Sequence, residues 1–370
     1  MPKLNDITNA ISAGYDIDKN DIIELAKNMD VDDNKILVST LDNVDKSLEN
    51  YEKIKCLADK CEMIEPCGKS MIKSPRKISE LDDSEKKIYK ESEAKFKKII
   101  ENKSECAFDK EQSSICSPSE YIEVFKTLTG KSTGEEALKE LKKITECETE
   151  KCVIDKKRAD FQNANVIIRE YFKPEGPEDR TKGWLSNSHI DDILDQFAKK
   201  HKDFYHIPFQ MADIDRITYK SFDSSVDFYK INLLEKFMET KKSKFGVVFN
   251  TDPSNKNGQH WYCLYGYMDG KKVVLEYFNS AGDGPNDDIQ LPIIAWLCKQ
   301  KQYFIKNKYT CSVSFENNIR IQDNSHACGV YCIMYIYSRL EGVHNLWLAN
   351  KENFNDEVMG EARKIIFSYK

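Results

Sequence analysis

Two strand-length apolar runs meet across one turn. They are Trp261-Tyr-Cys-Leu-Tyr-Gly-Tyr and Lys272-Val-Val-Leu-Glu-Tyr-Phe-Asn, joined through Met268-Asp-Gly-Lys. An Asp-Gly pair between apolar runs is a hairpin signal. Phe245-Gly-Val-Val-Phe-Asn reads as a short buried strand before it, and Tyr309-Thr-Cys-Ser-Val-Ser-Phe as a strand after it. Helices surround them. One starts near Asn187 or Ser188 and turns Ile190, Ile193, Leu194 and Phe197 to one face, and others run from Ile289 to Tyr303 and from Cys328 to Leu340. A central mixed sheet with flanking helices makes this part an α+β domain.

The first part of the chain has a different texture. All four tryptophans (Trp184, Trp261, Trp296, Trp347) lie in the second part, and the first 150 residues hold none. Residues 1–150 carry 25 Lys/Arg and 33 Asp/Glu, a net of −8, whereas 151–370 carry 31 and 29, a net of +2. Helical stripes recur before residue 160: at 18–27, at Leu37, Leu41, Val44, Leu48 and Tyr51, in a Glu/Lys-rich solvated helix after Ser84, and at 134–146. The expected organisation is a mostly helical N-terminal arm domain at 1–160 and the α+β domain at 161–370.

No run of 18 apolar residues is present, so no transmembrane helix is expected. The opening Met-Pro-Lys-Leu-Asn-Asp lacks the pattern of a secretory signal, which points to a cytoplasmic setting. A net charge of −6 argues against a generic nucleic-acid binder. In that setting the twelve cysteines are expected as reduced thiols rather than a disulfide framework. Cys56, Cys61 and Cys67 have no CxxC spacing and no matching second ligand pair, so no metal is expected.

Three residues at the ends of elements, and a fourth in the loop before the last of them, carry the chemistry. His260 opens the second strand and Asn279 closes the third, which puts them on adjacent strands near the open end of the hairpin. An Asn there can fix the tautomer and orientation of an imidazole. Asp283 and Asp287 follow closely and compete for that role. Cys328 ends a polar loop and starts an apolar helix, where free N–H groups and the macrodipole favour a thiolate. Gly329 beside it allows a substrate backbone to approach. Gln322, six residues earlier, can donate to an oxyanion alongside the Cys328 N–H. Nucleophile, base, orienting group and oxyanion donor together make a site for thiol acyl transfer. Other chemically able residues read as packing or surface: Cys332, Cys263, His326, His344, His206 and the run Tyr331, Tyr335, Tyr337.

The segments Gln259-His-Trp, Glu276-Tyr-Phe-Asn-Ser and Gln322-x5-Cys-Gly, in the order His, Asn, Gln, Cys, resemble the ubiquitin-like-protein-specific and adenovirus-type cysteine proteases. Trp184-Leu resembles the Trp-Leu that opens the family's first core helix. Asn after Glu-Tyr-Phe is similar to the branch of polyprotein-processing proteases in African swine fever virus and mimivirus. The resemblance covers about residues 165–345. It implies a papain-like, adenovirus-protease-like domain at 161–370 with His260, Asn279, Gln322 and Cys328 as catalytic residues. It also implies that Trp261 and Gly329 bind substrate in a channel that admits Gly-Gly or Gly-X sites. The implied activity is a cysteine endopeptidase on viral structural polyproteins during virion maturation, in host cytoplasm or packaged in the particle. No cofactor is expected, since no feature matching the peptide and DNA used by adenoviral relatives is visible. Deconjugation of ubiquitin-like proteins, acyl transfer by a related fold and an inactive binding module are the alternatives.

Overall fold

The computed structural model describes residues 78–369, apart from 213, 215–227, 254–255, 283–290, 317–319 and 325. Asp283, Asp287, the Cys56/Cys61/Cys67 group and the helical stripes before residue 60 lie outside the described residues.

The first described helix, α1 (Asp83–Glu101), starts at Asp82, whose carboxylate accepts the Glu85 N–H while Glu85 answers the Asp82 N–H. This capping box satisfies two amides that have no partner inside the helix. The charge-rich sequence suggests a solvated rod, yet Tyr89, Phe96 and Ile99 form a narrow buried stripe in it. Phe96 meets Trp347 at 4.5 Å between ring centroids, and Asn353 donates to the Tyr89 hydroxyl. The helix is therefore anchored on the C-terminal part of the chain.

Helices α2 (Ser119–Thr129), α3 (Gly134–Thr145), α4 (Glu150–Lys156) and α5 (Ala164–Tyr171) enclose a separate small core around Phe125, Leu141, Ile154 and Phe172. Four cysteines expected as thiols are paired here, Cys106 with Cys116 and Cys147 with Cys152. Irregular spacing concealed this, because the chain folds back over loops of different length to bring each pair together.

Helix α6 (Asn187–Lys200) is capped by Ser186, one residue before the position expected. The sheet follows: β1 (Phe204–His206), β2 (Lys244–Asn250), β3 (Trp261–Asp269), β4 (Lys272–Phe278) and β5 (Thr310–Glu316), in the order β1-β2-β3-β4-β5. The pairs β1–β2 and β4–β5 are parallel, and the other two are antiparallel. The hairpin turns at Gly270–Lys271, with Asp269 opposite Lys272 and Gly270 at φ 56°, a value that favours glycine.

Alternation along β3 separates two cores. Tyr262 and Leu264 face α7 (Leu233–Thr240) and α8 (Leu291–Lys306). Trp261, Cys263 and Tyr265 face α6 and α9 (Cys328–Leu340). α1 contributes to this second core, together with α10 (Asn345–Leu348) and α11 (Asp356–Ile366). Glu276 of β4 points into it as a buried charge. Arg339 of α9 pairs with both its oxygens, at 2.6 and 2.8 Å, and the Tyr335 hydroxyl donates to it at 2.9 Å. Paired and hydrogen-bonded, the carboxylate is satisfied where an isolated one is not.

Candidate active site

The hairpin brings His260 and Asn279 together at its open end, each one residue beyond its strand. His260 Nε2 lies 2.7 Å from Asn279 Oδ1. That oxygen also accepts the Ala281 N–H at 3.0 Å, which fixes the orientation of the amide. An amide oxygen only accepts, so Nε2 carries the proton and Nδ1 is the basic nitrogen. The loop before His260 is held in turn by Asn250 at the end of β2, whose Oδ1 accepts the N–H groups of Asp252 and Gln259. Gly258, at φ 84°, crosses directly over Asn250, where a Cβ would collide with the amide.

Cys328 is the first residue of α9 and is buried. The backbone N–H groups of Trp261, Gly329 and Cys328 itself lie where they favour its thiolate. Cys328 shares a buried core with Trp261, the residue that follows His260, so the fold gathers His260, Asn279 and Cys328 at one end of β3 and β4. Burial nevertheless outweighs the three amides, and neighbouring Cys332 opposes a second negative charge; the thiol is pushed up to about 11. The helix start thus offers donors to a thiolate, but the resting form is the neutral thiol.

Gln322 is buried beside Asn279. Its Oε1 accepts the Ser280 hydroxyl at 2.6 Å, and its Nε2 donates to the Asn324 carbonyl at 2.5 Å. Its backbone N–H donates to Ser280 O at 3.1 Å. Asn324 Oδ1 then accepts the N–H groups of His326 and Ala327, which shapes the turn into Cys328. Ser280 and Asn324 were missed from sequence, although each lies inside a motif that was read.

Two expected substrate contacts look different in place. A Cβ on Gly329 would lie 3.0 Å from the Leu185 side chain, so this glycine serves close packing of the Trp184-Leu185 segment. Trp261 is buried and edge-on to Phe209, at 6.3 Å between centroids, whereas Trp184 is 52% exposed. Cys332 and Cys263 are fully buried core residues. Tyr331, Tyr335 and Tyr337 are buried as well, and their hydroxyls donate to or accept from Asp356, Glu276 and Lys200. His206 is held between Asp191 and Asp195, and His344 caps α10. Among the described residues no cluster of His, Cys, Asp and Glu could hold a metal ion, and no helix is long and apolar enough to cross a membrane.

A mixed sheet flanked by helices, with a Cys at a helix start beside a His–Asn pair, defines a cysteine protease of the papain-like, adenovirus-protease-like class. The comparisons agree. The SUMO-1 cysteine protease of African swine fever virus is 36% identical over 210 residues, which cover 53% of this chain and 74% of that one. The same cysteine protease from another African swine fever virus strain is 35% identical over 217 residues, covering 55% and 77%. The crystal structure of the African swine fever virus pS273R protease superposes with a TM-score of 0.59 at 28% identity, over 72% of this chain and 97% of that one. No family model matches. The chain belongs to the family of the African swine fever virus pS273R cysteine protease.

Proposed function

We propose that Cys328 is the nucleophile, His260 the base, Asn279 its orienting partner and Gln322 an oxyanion donor. The carrying observation is the His260–Asn279 contact at 2.7 Å, with Cys328 in the same buried core as Trp261, the residue that follows His260. Because the resting thiol is neutral, attack and proton removal are coupled. His260 Nδ1 takes the thiol proton as sulfur bonds to the substrate carbonyl carbon. The carbonyl oxygen gains the negative charge and is met by the Gln322 amide and the Cys328 N–H. Collapse of this adduct breaks the C–N bond, and the imidazolium returns the proton to the leaving amine. Water, deprotonated by the same imidazole, then releases the acid from the thioester.

The substrates we assign are viral structural polyproteins cut after Gly-Gly or Gly-X during virion maturation, in host cytoplasm or in the particle. The resemblance to polyprotein proteases supports this, as does the exposed Trp184 beside the Leu185–Gly329 contact, where an indole can lie on a side-chain-poor segment. A second reading, processing of ubiquitin-like proteins, is favoured by the name of the 36%-identical relative. We further assign residues 1–160 to a helical arm domain and 161–370 to the protease domain, whose core the arm completes with Tyr89, Phe96, Ile99 and Phe108.

The deciding experiment maps new N-termini after incubating wild-type and Cys328→Ala protein with candidate polyproteins and with ubiquitin-like precursors. Cuts after Gly-Gly or Gly-X in polyproteins, absent with Cys328→Ala and His260→Ala but kept with Cys332→Ala, are expected. Wild-type cleavage by Cys328→Ala would sink the nucleophile assignment. Cutting confined to ubiquitin-like precursors would favour the second reading.

A further inference from the structure

The family motifs end near residue 345, but the loop that presents Cys328 is held from beyond them, by α11. Arg363 is 1% exposed. Its Nη1 donates to Gly183 O at 2.8 Å, and its Nη2 to His326 O at 2.7 Å. Those carbonyls belong to the two segments that meet at the site: Gly183 leads into Leu185, which packs on Gly329, and His326 lies two residues before Cys328. Two helical turns earlier on the same face, Asp356 accepts the N–H groups of Asp323 and Asn324 at 3.0 and 2.9 Å and the Tyr331 hydroxyl at 2.9 Å. Asn324 is the residue whose carbonyl receives the Gln322 amide.

We propose that Arg363 is a positioning residue for the thiol chemistry: its guanidinium fork fixes the turn into Cys328, and its charge stabilises the thiolate formed there. The inference rests on Cys328 being the nucleophile. Two features distinguish this role from simple bracing. First, a buried cation is costly unless paired, and among the described residues no carboxylate forms an ion pair with Arg363. Burial accordingly pulls its proton affinity down, while Tyr369 and then an ionised Cys328 pull it back up. An ionised Cys328, two residues beyond the carbonyl that Arg363 holds, is one of the anions that favour its charge, with Asp179 the other. Second, the planar fork reaches two carbonyls from separate segments at once, which a lysine ammonium with its point charge does not reproduce.

The titratable and charged groups facing this pair are Cys332 on α9, His326 in the turn, His189 on α6, Asp356 on α11, Tyr369 after α11, and Asp179 and Lys182 before α6. None changes identity in the variants below, so a displaced thiol titration reports the guanidinium.

The test uses the full chain with Arg363→Met, Arg363→Gln and Arg363→Lys. For each, the alkylation rate of Cys328 by iodoacetamide is followed against pH by mass spectrometry, with kcat and KM on a peptide substrate. For Arg363→Met and Arg363→Gln the alkylation midpoint should rise by about one pH unit or more, the effect of removing a nearby opposite charge. Their kcat should fall at least about tenfold with KM within about twofold, the pattern of an interaction made in the transition state. Arg363→Lys should keep the wild-type midpoint and recover part of kcat. An unmoved midpoint in Arg363→Met overturns the proposal, and if that variant does not fold, Arg363→Gln decides on the same criterion. Retained turnover in Cys328→Ala would instead remove the nucleophile assignment on which the inference stands. An inactive Cys328→Ala beside Arg363 variants that titrate like wild type would leave that assignment standing and remove this inference.

Discussion

Asn279 Oδ1 accepts from two donors at once, the imidazole Nε2 of His260 at 2.7 Å and the Ala281 N–H at 3.0 Å. The backbone contact orients the amide, and the amide orients the ring. Asn279→Ala should therefore lower kcat by roughly tenfold to a thousandfold and leave KM little changed, a smaller loss than His260→Ala. Asn279→Asp should keep substantial activity because it retains the acceptor. Steady-state kinetics with a peptide substrate checks both, and a neutral Asn279→Ala would move the orienting role elsewhere.

The Ser280 hydroxyl to Gln322 Oε1 contact at 2.6 Å makes a second prediction. Gln322→Ala should reduce kcat by roughly two to three orders of magnitude, as loss of one oxyanion donor does. Ser280→Ala leaves the glutamine in place but frees one end of its amide. Its loss should be smaller, on the order of tenfold, the cost of one buried hydrogen bond. A rise in KM with kcat intact in either variant would contradict the oxyanion role.

A chain beginning at residue 161 should not yield a working enzyme. It lacks Tyr89, Phe96, Ile99 and Phe108, all buried in the core that also contains Cys328. Each large apolar side chain contributes about 1.5–3 kcal/mol on burial, against about 5–15 kcal/mol for a whole domain. Thermal unfolding and peptide cleavage test this. A soluble truncated chain with full-length peptide turnover would show that the arm serves only targeting.

Glu341 follows α9 and forms an ion pair with Lys200 at 2.7 Å. Burial works to raise its pKa, but the close cationic contacts with His201 and Lys200 win and hold it at about 2. A depressed carboxylate stabilises the fold above its unfolded pKa, and that contribution is lost as pH falls through the folded one. The melting temperature of Glu341→Gln should lie below wild type at neutral pH, and the gap should close between about pH 4.5 and 2. A gap that stays constant over that range would deny the ionised contact.

The hairpin, the start of α9 at Cys328 and the pairing of His260 with Asn279 were legible because each is written locally, in a turn, a polar-to-apolar switch or a count back from Gly270. The acid–base state of Cys328 was not. The helix start is visible in sequence, but the burial that outweighs it depends on Trp261 and on packing from distant elements. Arg363 and Asp356 were illegible for the same reason: a lone Arg and a lone Asp on an amphipathic helix look like solvated surface until the loop of residues 322–327 lies across them. The stripe on α1 was masked by its lysines, and the disulfide pairs by their unequal spacings.

The buried Glu276–Arg339 pair has a mechanical consequence. Glu276 lies three residues before Asn279 on one rigid element, and Arg339 lies eleven residues after Cys328 on another, about 16 Å along the helix. The strand and helix are bolted together far from the ends that carry the orienting amide and the sulfur. A small rotation at that joint is magnified along the helix before it reaches the cleft. Loss of either charge leaves the other buried and unpaired, so the joint that sets the angle between the two elements is also the one least tolerant of substitution.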